Sequence, residues 1–159
     1  MTKRLAFISG LVIIILGAMA IFYQRRVSTV SAPSGQAYAQ VSLAGRTVQA
    51  IVSDTEASRE LGLGFRQNLS DEQGMWFVFD SPQQYVFWMK NMNFDIDIIW
   101  VRDGQVADIT RQARVQPGAS DADLIRYSPS AAVDRVLELP AGWADRYGLK
   151  IGEEVKASG

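Results

Sequence analysis

The chain has 159 residues, 48% of them hydrophobic and 21% charged, which is enough apolar mass for one packed domain plus an appendage and too much for a disordered polymer. It contains no cysteine and no histidine, which excludes disulfides, zinc–thiolate sites, cysteine nucleophiles, Ser-His-Asp relays and histidine-ligated metals. Four of the 16 basic residues and none of the 17 acidic ones fall in residues 1–26, so the remainder holds 12 basic and 17 acidic residues, a net of −5 that repels a phosphate backbone.

Carboxylate, lysine, tyrosine or Ser/Thr–Lys chemistry remains, together with hard cations on oxygen ligands. No nucleic-acid partner and no cofactor are expected.

Residues 1–26 read as a membrane anchor or signal segment. No charge occurs from Leu5 to Gln24, and as a helix this run reaches about 30 Å, the thickness of a bilayer's hydrocarbon layer. A helix is the form that satisfies backbone amides where water is absent. Membrane contact is expected through residues 5–23. The rival is a cleaved export signal, with Lys3 and Arg4 at its start and Ala18-Met19-Ala20 as the cleavage motif. Against it, the apolar run continues through Ile21, Phe22 and Tyr23. Lys3 and Arg4 balance Arg25 and Arg26 across the span, so charge alone does not orient it. Likeness to an export signal favours an extracytoplasmic, periplasmic body, with secretion after cleavage as the alternative.

Residues 27–39, "VSTVSAPSGQAYA", are uncharged and small, a flexible linker spanning about 20 Å as a coil. Residues 40–159 then read as a single β-rich domain. Alternation in 40–53 with Ala44-Gly45 between predicts a hairpin. Ser53 stands three residues before Glu56, the spacing of a capping box that opens a short helix ended by Gly62 or Gly64. "MWFVFD" (75–80) reads as a buried strand broken at Ser81-Pro82, and 84–90 as extended chain.

The stretch "YVFWMKNMNFDIDIIWVRDG" (85–104) carries the most polar punctuation. Alternation puts Phe94, Ile96, Ile98 and Trp100 on one face and Asp95, Asp97, Ile99 and Val101 on the other. Asp103-Gly104 predicts a two-residue type I′ turn that pairs Val101 with Val106, Trp100 with Ala107, Ile98 with Ile109 and Asp97 with Thr110. Residues 111–132 look irregular and long. "AVDRVLEL" (132–139) reads as a strand, Pro140 opens a short helix "AGWADRY" ended by Gly148, and "KIGEEV" reads as the last strand. The expected fold is mainly β: a compact antiparallel barrel or folded sheet of seven or eight strands with two short helices, behind an N-terminal transmembrane helix.

In order along the chain, "SRELGLGFR" (58–66), Asp71, "GMWFVF" (74–79), "FWMKNM" (87–92), "DIIWV" (97–101), Gly104, Val106, Pro117, "VLELPAG" (136–142) and "GLKIGEEV" (148–155) form an ordered series. The chain resembles the bacterial and archaeal domain-of-unknown-function family number 192 from residue 41 to 156. That resemblance implies a compact β-rich fold, often behind an export or anchor segment, with no established catalytic activity. Members often carry proline where Asp95 stands here, so a site built around that turn is altered.

The candidate ligand-binding residues are Arg66, Trp88, Lys90, Asn91 and Asp97: a guanidinium after a glycine-rich turn, an aromatic face, a cation, an amide and a carboxylate. Each has a structural alternative. Arg66 can bond loop carbonyls or pair with Asp71 or Asp97, Trp88 can be core with Lys90 extending to solvent, and Asp97 can be buried against Arg66 or Lys90. Arg59 and Glu138 are candidates for a structural pair or for acid–base work, Glu138 acting with Asp97 if their carboxyl groups lie roughly 5–10 Å apart. Asp95 and Asp97 offer too few oxygens for a metal. No catalytic motif is recognisable. The reading is a membrane-tethered extracytoplasmic binding domain for a small molecule or an envelope protein, with a carboxylate-dependent envelope hydrolase as the alternative.

Overall fold

The computed structural model describes residues 35–159. The expected anchor (1–26) and all but the end of the expected linker (27–39) lie outside the described residues, and among the described residues no helix is long and apolar enough to cross a membrane.

The domain is a seven-stranded sheet with two short helices: β1 (Tyr38–Leu43), β2 (Arg46–Ser53), α1 (Glu56–Leu61), β3 (Gln73–Gln83), β4 (Ile96–Arg102), β5 (Gln105–Ala113), β6 (Val133–Pro140), α2 (Trp143–Arg146) and β7 (Lys156–Ser158). The spatial order is β5-β4-β6-β3-β2-β1-β7. Both predicted tight turns form. Ala44 and Gly45 have φ of 48° and 67°, and Asp103 and Gly104 have 49° and 74°, the positive values that let a two-residue loop match strand twist.

Several expectations are corrected. β2 and β3 run parallel, joined through α1, so the sheet is not wholly antiparallel. It is also not a closed barrel. The terminal segment reaches both ends of the sheet, through Val106 N–H to the Glu153 carbonyl (2.9 Å), Val155 N–H to the Gly104 carbonyl (2.8 Å), and β7 against β1. The sheet therefore curls without completing a ladder, and "KIGEEV" is the turn that crosses the gap rather than a strand. Thr55, not Ser53, caps α1: its hydroxyl accepts from Ser58 N–H and its own N–H donates to the Ser58 hydroxyl. β3 continues through Pro82, because its pairing with β6 slips between Val78 and Gln83 and the exposed stretch does not need the missing N–H. A similar slip in β5 sets Trp100 opposite Asp108 and Ile98 opposite Thr110, one residue off the simple hairpin register. Pro140 ends β6, and α2 starts at Trp143 after Gly142, whose φ is 78°.

Alternation sorts the strands into two apolar layers. Val41, Val48, Ala50, Trp76, Ile99, Leu137, Leu139 and Trp143 fill one face. Met75, Phe77, Ile96, Ile98, Trp100 and Val136 lie on the other, covered by Leu63, Met89, Phe87, Tyr127 and their loops. The long segment after β5 is thus a covering layer, fastened by reciprocal backbone bonds between Phe87 and Tyr127 (2.8 and 2.9 Å).

Candidate functional site

Beneath that covering layer lies a cleft of about 410 Å³. Its floor is Glu138, central in β6, flanked across the ladders by Met75 of β3 and Ile98 of β4. Its walls come from three places: the Gly62-Leu63-Gly64 turn after α1, Phe77 and Phe79 of β3, and the segment from Tyr85 to Met92. An aromatic network sets the wall geometry. Phe87 meets Phe77 edge-on (centroids 4.9 Å) and Trp100 likewise (5.3 Å), while Phe79 stacks on Tyr85 at 3.6 Å. The two rims are tied by Phe65 N–H donating to the Asn91 carbonyl at 2.8 Å. Both residues sit at positive φ (64° and 58°), a conformation that asparagine tolerates and that is uncommon for phenylalanine.

A second recess of about 360 Å³ adjoins the first, sharing Glu60, Leu61, Trp88 and Lys90 with it. Around the two recesses, Leu61, Phe65, Val86 and Trp88 expose apolar surface, Trp88 being 42% and Phe65 65% exposed. Four of the six large exposed hydrophobic residues among the described residues therefore gather at one opening.

Glu138 is only 6% exposed, and its Oε2 has no hydrogen-bond partner among the described residues. Burial disfavours the charged form and pushes its carboxyl up to about 8. At neutral pH the cleft floor is thus a neutral carboxylic acid able to donate and to accept. The other charged groups around the cleft are Glu56, Arg59 and Glu60 of α1, and Lys90. Arg59 Nη1 donates to the carbonyls of Asp54 (2.7 Å) and Val78 (2.9 Å), and its guanidinium lies 5.2 Å from the Phe79 ring centroid. Lys90 is ion-paired to Asp121 at 2.6 Å. The expected pairing of Arg59 with Glu138 is absent among the described contacts, since both hydrogen bonds of Arg59 run to backbone.

The sequence candidates thus divide. Trp88, Lys90, Asn91, Arg59 and Glu138 meet around the two recesses. Arg66 lines a separate cavity of about 70 Å³ with Tyr38, Gln49 and Gln73. Asp97 is wholly buried on the opposite face of the sheet, and its partners are neither Arg66 nor Lys90. Its carboxylate accepts from the backbone N–H groups of Gln112 (2.8 Å), Gly142 (3.1 Å) and Ala144 (2.9 Å), holding α2 to the sheet. Asp97 pairs with Leu139 and Glu138 with Ile98, so alternation sends the two carboxyl groups to opposite faces and they form no acid–base pair. Asp71, the other expected partner of Arg66, instead accepts from Arg146 and Tyr147; the hydrogen bond from Arg146 holds its carboxyl below the usual range. Asp95 accepts from Val115 N–H at 2.8 Å. Phe79, Tyr85 and Phe87 were not singled out by sequence, because aromatic residues near strands read equally as core.

Comparison with known proteins adds the remaining context. The family model DUF192, described as "Uncharacterized ACR", matches residues 39–157. The chain belongs to the DUF192 family. A protein of unknown function from Novosphingobium aromaticivorans DSM 12444, solved at 1.22 Å, superposes on this DUF192 chain with a TM-score of 0.68 at 30% identity, covering 79% of this chain and 89% of that one. A candidate transcription regulator from Sinorhizobium meliloti 1021, solved at 1.55 Å, gives a TM-score of 0.66 at 28% identity over 79% of this chain and 98% of that one. No curated protein matches.

Proposed function

We propose that this DUF192 chain is a ligand-binding domain held at the outer face of a membrane by residues 5–23, and that it takes a small molecule with an apolar body into the cleft over Glu138. The observation that carries this reading is the cleft itself: exposed apolar side chains converge on an opening whose floor is a buried carboxyl group with an unpartnered oxygen. A buried polar atom without a partner is destabilising in the empty protein, and a ligand that supplies the missing hydrogen bond recovers that loss. Tethering is supported by the uncharged run from Leu5 to Gln24 and the small, uncharged residues 27–39.

The hydrolase alternative loses its second carboxylate, because Asp97 is committed to three backbone amides on the far face. A regulator role like that named for the Sinorhizobium meliloti protein gains no support from a body with a net charge of −5.

The test is a thermal-shift screen of small apolar compounds against the chain and its Trp88→Ala and Lys90→Ala variants. Ligand-induced shifts in the parent and their loss in correctly folded variants are expected. Unfolding of Trp88→Ala, or a tightly co-purifying envelope protein covering Trp88, contradicts the small-molecule reading. Fractionation and protease accessibility from outside the cell, with and without residues 1–26, test the location.

A further inference from the structure

We infer that the ligand of this cleft is an organic ammonium ion, a positively charged amine on an aromatic or aliphatic body, whose cation points toward Glu138. The inference rests on the cleft being a ligand site and adds the chemical class. Three features favour a cation over a neutral or anionic group. The rim carries Glu56 and Glu60, both exposed on α1, and neither has an ion-pair partner among the described residues. The two cationic side chains that line the cleft are held by other groups, Arg59 by two backbone carbonyls and Lys90 by Asp121, and among the described contacts neither meets Glu138. The walls are aromatic, and two of their rings already hold a guanidinium, Phe79 with Arg59 at 5.2 Å and Trp88 with Arg126 at 4.5 Å, which leaves Phe77, Tyr85 and Phe87 as the rings to meet a ligand cation, a contact that strengthens when the cation is stripped of water. At the end of this path stands a carboxyl group, 6% exposed, whose Oε2 nothing in the described chain satisfies.

Binding the cation requires Glu138 to lose its proton, because an ammonium beside a neutral acid gains far less than beside a carboxylate. The proton goes to solvent, and the ion pair forms in a partly dehydrated cleft. Apparent affinity is then the intrinsic affinity scaled by the fraction of Glu138 already ionised. With the carboxyl near 8, that fraction rises by about tenfold per pH unit below this value. The other titratable and charged groups lining the cleft are Glu56, Arg59, Glu60, Lys90 and Tyr85.

The experiment uses the full-length chain in lipid nanodiscs and three probes with one ring and one headgroup each: 2-phenylethylammonium, 2-phenylethanol and phenylacetate. Binding is followed by the NMR shift of the Trp88 indole. The ammonium probe keeps its charge from pH 6 to 7.5, since alkylammonium groups titrate near 10. The expected result is that the ammonium binds at least about tenfold more tightly than the alcohol or the carboxylate at pH 7.5, with affinity approaching a tenfold gain per pH unit. Glu138→Gln should abolish that pH dependence and bring the ammonium down to the alcohol's affinity. If Glu138→Gln does not fold, the parent's pH profile decides, and a flat profile overturns the inference. Equal or tighter binding of the alcohol or phenylacetate overturns the ammonium class while leaving the cleft as a ligand site. If none of the three probes moves Trp88, both the inference and the proposed function fail.

Discussion

Replacing Glu138 with glutamine removes one ionisable group from the cleft floor with little change of shape, and the structure fixes what this should do to stability as pH varies. In the unfolded chain the carboxyl titrates near its ordinary value of 4.5, and in the folded protein burial raises it to about 8. Below 4.5 both states are protonated and the group makes no difference. Between the two values the unfolded chain releases the proton while the folded one retains it, so stability falls as pH rises, by about 1.4 kcal/mol per unit. Above 8 the loss levels off at roughly 5 kcal/mol. Between pH 5 and 7.5 the wild-type protein should therefore lose about 3 kcal/mol relative to Glu138→Gln. Urea denaturation at each pH, read as the difference between the two proteins, cancels the titration of Asp71 and the other carboxylates, whose contributions are common to both. At pH 7.5 the variant should be the more stable protein. If the difference is constant with pH, Glu138 is hydrated and ordinary, and the reasoning about an unpartnered carboxyl at the cleft floor is wrong.

Trp88→Ala should cost about 1 kcal/mol or less, because the ring is 42% exposed and its main partner is Arg126, 4.5 Å from its centroid; the same variant should lose ligand-induced thermal shifts. Asp97→Ala leaves three backbone amides without their acceptor and should destabilise by at least about 3 kcal/mol, seen as a lowered urea midpoint. Gly74→Ala places a methyl group 2.9 Å from the carbonyl oxygen of Glu138 and 3.2 Å from Leu137 and Leu139 side-chain carbons, within a central strand pair. It should cost about 1–3 kcal/mol and weaken probe binding by displacing the cleft floor, measured by urea midpoint and by the affinity of 2-phenylethylammonium.

What the sequence disclosed was local. Ala44-Gly45 and Asp103-Gly104 announce tight turns because positive φ at both positions is a property of two residues alone. The face shared by Phe94, Ile96, Ile98 and Trp100 followed from alternation, and the same rule separates Asp97 from Glu138 once their strands are paired. Pairing itself was not legible. The parallel contact of β2 with β3 joins segments on either side of α1, and the slip opposite Trp100 changes register within an otherwise regular hairpin. The partners of Asp97 are backbone amides of residues 112, 142 and 144, which no side-chain pattern announces, so a lysine or arginine was the natural but mistaken expectation. Glu138 was visible as a polar residue amid hydrophobics, yet alternation says only which residues share a face. That this face is roofed by aromatic side chains depends on where the segments after β3 and β5 cross the sheet, a long-range outcome with no local signal.

The most direct test of the cleft is the indole region of the two-dimensional NMR spectrum during titration with 2-phenylethylammonium. Trp143 lies in the apolar layer on the opposite face of the sheet and donates to the Asp71 carbonyl at 3.1 Å, so it serves as an internal reference for an undisturbed fold. The Trp88 signal should move and saturate while that of Trp143 holds still. A Trp88 signal that stays fixed at saturating probe, or four indole signals that drift together, contradicts a ligand site over Glu138.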